Sequence, residues 1–214
     1  MFYAEDRRKW NALFRRIGAQ GDSEMIFAML KRKYKEPHRA YHTAAHIRHC
    51  LVEFRQVRDM PRNPNAVELA LWFHDAVYAP FRKDNEHRSA RFAEEVLFQI
   101  GGVSDDIIAR VTTLIMATQH NVPLSPHDPD AIMMADIDLS PLGVHPQLFD
   151  ENSQRIRREF KMGDNKKSLE KQAWFLVKLL RKKQNIYGTD YFYEKYEKQA
   201  RRNIERLAVR AGVM

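Results

Sequence analysis

A single cysteine, Cys50, rules out a disulfide framework and removes the thiolate set that a closed structural zinc site would use. Glycine and proline are also sparse, with 8 and 9 among 214 residues, which leaves room for long helices. No stretch approaches the roughly 18 uninterrupted apolar residues of a membrane span. The opening MFYAEDRRKW has none of the charged, apolar, then small-residue order of a secretion signal, so a cytoplasmic location is expected. No GxxxxGK[ST] loop is present, which argues against nucleotide binding of the ATPase kind. No Ser/His/Asp motif competes for a nucleophile's role.

What is present is ordinary globular material: 44% hydrophobic and 30% charged residues, enough for a sizeable core. The net charge of +8 is unevenly placed. From Ser153 onward there are 17 Lys+Arg against 7 Asp+Glu, leaving a net of −2 for everything before it. That basic third suits anionic partners or a solvated helical face.

Between the breakers the apolar residues recur at helical spacing. Trp10, Leu13, Phe14 and Ile17 mark a first helix, ended by Gly18 and Gly21. Asp22 or Ser23 caps a second, with Met25, Met29, Leu30 and Tyr34 inward. Ile47, Leu51, Phe54 and Val57 mark a third. Asn65 and Glu68 form a capping box for a fourth, apolar almost all round and therefore buried. A fifth spans 84–100 and is closed by Gly101-Gly102, and a sixth runs from Ser104 to about His120. After the proline-punctuated VPLSPHDPDA come long helices near 146–162, 166–183 and 189–210. With no alternating strand, the reading is all-α: one multi-helix bundle over 1–214, with a core near 38–145 and peripheral helices at 1–36 and 146–214.

The chemistry concentrates in a few motifs. YHTAAHI carries His42 and His46, which share a face if the segment is helical. LALWFHDAVY follows with His74-Asp75, 28 positions after His46. Burying that pair at the end of an apolar helix costs several kcal/mol unless a metal or partner compensates. MADIDLSPLG adds Asp136 and Asp138, the latter 63 positions after Asp75. Two imidazoles with two carboxylates suit a divalent transition metal or Mg²⁺.

This ordered set, with DNEHRSA, LIMATQH, IRREF and EKQARRN, resembles the HD-domain superfamily of metal-dependent phosphohydrolases over nearly the whole chain. The resemblance implies a divalent cation (Mn, Mg, Zn, Fe, Co or Ni) held by His46, His74, Asp75 and Asp138, with Asp136 as the alternative last ligand. It further implies catalytic parts for Asp75, Glu86 and His120, and a substrate-facing place for His42. Arg157 and Lys161, four apart, are the candidate phosphate contacts. In one place the pattern departs: SLEKQAW offers Lys171 or Gln172 where relatives carry an arginine.

The expected activity is hydrolysis of a phosphoester, of a nucleotide or other small phosphorylated metabolite, by a metal-activated water. The rival readings are a metal-retaining sensor and a nucleic-acid-binding module. Sequence-specific nucleic-acid binding and a membrane partner are not expected, and a homodimer is left open.

Overall fold

Helix boundaries follow the punctuation in the sequence. The computed structural model describes residues 2–120, 123–161, 165–182 and 184–214. Among these are ten α-helices, two short 3-10 turns and no strand. The chain divides into two compact units, Met1–Met134 and Ala135–Met214.

The first unit holds α1 (Ala4–Arg16), α2 (Ser23–Lys33), α3 (Ala44–Gln56), α4 (Pro64–Phe73), α5 (Asn85–Ile100) and α6 (Asp105–Met116). The α4 helix is its axis. Every residue from Ala66 to Phe73 is buried, and α1, α3, α5 and α6 all pack on it. One face meets an aromatic cluster in which Trp72 lies 5.2–6.0 Å from Phe2, Trp10 and Phe27, centroid to centroid. Such pairs add about 0.5–1.5 kcal/mol each beyond the area they bury.

Two details differ from the periodicity. The α4 cap is Asn63, whose Oδ1 accepts the Ala66 N–H at 3.0 Å, with Pro64 in the first turn. Glu68, free of the expected capping role, instead accepts from Arg16 (2.7 Å) and Arg58 (2.8 Å). On α2 the buried stripe is Ile26, Phe27 and Leu30, while Met25 is exposed. Apolar residues at 25, 26, 27, 29 and 30 fit two neighbouring helical faces, and packing selects one.

The α7 helix (Pro129–Leu139) contains the division between the units. The second unit continues with a 3-10 turn (Ser140–Gly143), α8 (Pro146–Glu159), α9 (Lys166–Lys182) and α10 (Asp190–Ala211). Positions 162 and 183, where two helices were expected to end, lie outside the described residues. A Cβ on Gly143 would come within 2.5 Å of the Tyr196 side chain, so only glycine admits this approach of the turn to α10. Asn203 on α10 seals the junction by donating to the carbonyls of Leu142 (2.9 Å) and Val144 (2.8 Å).

Buried carboxylates fix the segment ahead of α10. Asp136 receives the N–H of Gly188 (2.9 Å) and both the N–H (2.8 Å) and hydroxyl (2.7 Å) of Thr189, the α10 cap. Glu197 receives the N–H groups of Ile186 (2.9 Å) and Tyr187 (3.2 Å). Among the described residues no helix is long and apolar enough to cross a membrane.

Candidate metal centre

Two segments of the first unit build the site. Thr43 caps α3 by accepting the Ala45 N–H, which puts His46 in the first turn and Cys50 one turn further on the same face. His42 lies before the cap and not on the helix; its ring stacks on Tyr78 at 4.1 Å. The second segment leaves the C-terminal end of α4, where His74 is the C-cap residue and Asp75 follows. His46 and His74 are 5% and 2% exposed, so both imidazoles meet essentially no solvent.

The tautomer of His74 follows from its neighbours. Its Nδ1 lies 3.0 Å from the Leu71 carbonyl, which can only accept, so Nδ1 carries the proton. In the neutral ring Nε2 then presents a lone pair. That atom is 3.3 Å from His46 Nε2 and 3.2 Å from Asp75 Oδ2, and His46 Nε2 is 3.5 Å from the same oxygen. Ligand atoms about 2.1 Å from one ion lie roughly 3.0 Å apart in an octahedron and roughly 3.4 Å apart in a tetrahedron. The three atoms form a triangle of that size.

Asp75 Oδ2 is buried and accepts no hydrogen bond among the described residues. Two lone-pair atoms facing each other at this range need a proton or a cation between them. Burial by itself pushes the Asp75 carboxyl up; positive charge on the imidazoles of His74, His42 and His46 when they are protonated outweighs that and holds it well below the usual carboxylate range, so the pocket favours the carboxylate wherever a positive charge sits beside it. An anionic oxygen beside two aligned imidazole nitrogens is a fitting donor set for a divalent ion.

Arg39, to which the sequence reading gave no part, holds the two segments together. Its guanidinium is fully buried. It donates to the carbonyls of His42 (3.0 Å), Asp75 (2.7 Å) and Ala76 (3.1 Å), and Nε donates to Glu36 (2.9 Å). One planar fork thus ties the turn before α3 to the turn after α4. Downstream, two residues of α5 pin the continuing loop. Asn85 exchanges hydrogen bonds with the backbone of Ala79 at 3.0 Å each, and Ser89 does so with Val77 at 3.1 Å each.

No family model matches this sequence, and comparison with curated proteins and with solved structures gives no match. The site's own chemistry therefore carries the argument.

The remaining expected residues are placed as follows. Glu86 lies in the first turn of α5, half-buried between Asn85 and the exposed His87. His120 follows the 3-10 turn Ala117–Gln119 with a left-handed backbone, φ 56°. Asp136 and Asp138 lie on α7, with Asp136 engaged by Gly188 and Thr189. Arg157 is buried on α8 and donates to Gln172 Oε1 at 2.7 Å, so the glutamine of SLEKQAW is this arginine's partner. Lys161 does not share a helical face with Arg157: α8 stops at Glu159, and Lys161 lies beyond it, exposed, at φ 49°.

Cys50 is the other residue that the sequence reading passed over. His46, Cys50 and His74 each offer one ligand atom, all within 4.8 Å of one another. The signal was available in the i, i+4 spacing of His46 and Cys50. A single cysteine excludes an all-thiolate site, but not one thiolate among imidazoles and carboxylates.

Proposed function

We propose that this chain is a metal-dependent phosphohydrolase of the HD-domain kind, acting on a small phosphorylated substrate. The observation that supports it most is the triangle of His46 Nε2, His74 Nε2 and Asp75 Oδ2, with the His74 tautomer set by Leu71. Asp138, in DIDLSPLG, is the fourth donor in this reading, as the resemblance implies. The saturation of Asp136 by Gly188 and Thr189 favours Asp138 over its neighbour.

Held by these residues, a divalent ion would supply polarisation of a phosphoryl oxygen and a water made nucleophilic near neutral pH. The chain's own groups supply the rest. Asp75 contributes the negative charge that holds the cation and fixes its orientation against the two rings. Arg39 keeps both ligand segments in register without touching the reacting atoms. Glu86 takes a proton from the attacking water, and His120, held in a left-handed turn that side chains adopt at a cost, returns one to the leaving oxygen. His42, ordered by its stack on Tyr78, faces the substrate.

The test is hydrolysis. Purified protein loaded with Mn²⁺ and challenged with phosphomonoesters, phosphodiesters and nucleotides should release product from at least one class. EDTA should abolish that release and added metal restore it. Glu86→Gln and His120→Asn should each lower the rate by roughly 10² to 10⁴-fold with metal retained. A protein that holds one ion per chain yet hydrolyses nothing across the panel is a sensor and not an enzyme.

A further inference from the structure

We propose that Cys50 Sγ is itself a ligand of the ion, as a thiolate, so that the site selects a borderline-soft transition metal of the zinc class over magnesium. The inference rests on the metal reading of the preceding subsection and narrows it.

Three observations converge on the sulfur. Cys50 is wholly buried, one helical turn beyond His46 on α3. Its Sγ lies 3.7 Å from His46 Nε2 and 3.9 Å from Nδ1, so it touches both nitrogens of the ring that supplies a ligand. It also belongs to the set of donor atoms, with His46 and His74, that fit inside 4.8 Å. A sulfur at about 2.3 Å and a nitrogen at about 2.1 Å from one ion lie roughly 3.1 Å apart at a right angle and roughly 3.6 Å apart at the tetrahedral angle. The observed 3.7 Å lies about 0.1 Å beyond the tetrahedral value.

The alternative, a small apolar residue that merely fills space, accounts for the burial. It gives no reason for a polarisable sulfur, and not an alanine or valine, to meet the nitrogens of a ligand ring. As the S–metal bond forms, the thiol's S–H bond breaks and its proton leaves to solvent. Thiolate ligation disfavours Mg²⁺, which takes oxygen donors and gives up its waters reluctantly, and favours Zn²⁺, Co²⁺ or Fe²⁺.

Cobalt is the probe. The full chain, freed of metal and titrated with Co²⁺ under reducing conditions, should develop a thiolate-to-cobalt charge-transfer band in the near ultraviolet at one equivalent. Cys50→Ser and Cys50→Ala should lose that band while keeping the weaker visible absorption of a cobalt site with nitrogen and oxygen ligands. Both variants should bind Zn²⁺ at least tenfold more weakly and lose most of the preference for Zn²⁺ over Mn²⁺ and Mg²⁺. Circular dichroism establishes that each variant is folded, and the wild-type spectrum is decisive even if neither folds. Stoichiometric cobalt binding without the charge-transfer band would overturn the sulfur ligand and leave the metal site standing. Absence of cobalt binding altogether would overturn both.

Discussion

Arg39 shows how much of this site depends on a residue that does no chemistry. Its buried guanidinium satisfies three carbonyls from the two segments that carry the ligands. Arg39→Met leaves those carbonyls without their donor, at a cost on the order of 3 kcal/mol in unfolding free energy. Arg39→Lys should fall between, because a point charge cannot reach all three. Urea titration measures the loss, and metal affinity should fall with it, about 10 to 100-fold, as for other supports of ligand residues. If Arg39→Met binds metal as the wild type does, the positioning role is wrong. The two α7 aspartates separate in the same way. Asp136→Asn should cost about 2 kcal/mol by weakening charge-assisted bonds at the start of α10 and leave the metal in place. Asp138→Asn should lose metal with little change in the urea midpoint. The reverse pattern would exchange their roles.

The elements that position the site were largely legible, because helix patterning is local. Gly18, Gly101-Gly102 and Ser104 punctuate the chain where the helices of the first unit end and begin, and the all-round apolar 66–73 run is the buried axis. What was not legible is what depends on neighbours distant in sequence. Asn63 caps α4 although Asn65 and Glu68 have the spacing of a capping box, since Arg16 and Arg58 take the glutamate. Arg39 sits in a loop and meets carbonyls 36 and 37 residues away, which no periodicity displays.

The turn between α5 and α6 offers a sharp test at this scale. Gln20 and Gly21 donate to the carbonyls of Gly101 (3.0 Å) and Ile100 (2.9 Å). A Cβ on Gly102, at φ 78°, would fall 2.2 Å from the Gly18 carbonyl oxygen. Gly102→Ala should therefore cost more than the roughly 1–2 kcal/mol of a left-handed backbone alone, lowering the melting temperature by several degrees. An unchanged melting temperature would show that the two loops do not meet so closely.

For the molecule as a whole, charge and pH set the predictions. Arg110 hydrogen-bonds Asp128 and holds its carboxyl below the usual range. That pairing contributes stability above about pH 3.9, where an unfolded aspartate is ionised, and the contribution fades as pH falls through the lower folded-state value. The stability gap between wild type and Asp128→Asn, measured by denaturant titration, should be constant near neutrality and shrink toward zero in acid. A gap that grows in acid would contradict the assignment. The basic stretch from Ser153 onward predicts weak nucleic-acid retention that is lost at moderate salt, the signature of counterion release without base readout. Submicromolar, sequence-selective binding at physiological salt would favour a nucleic-acid module instead.

Elemental analysis of the purified protein tests whether His46, His74 and Asp75 surround a cation. Wild-type protein, exchanged extensively into metal-free buffer, should retain close to one divalent transition-metal ion per chain. Asp75→Ala, with the same helical circular dichroism, should retain less than about a tenth of that, because it removes the anionic oxygen that lies within 3.5 Å of both imidazole nitrogens. Equal metal content in the two proteins, or none in the wild type after loading with zinc, cobalt or manganese, would contradict the account.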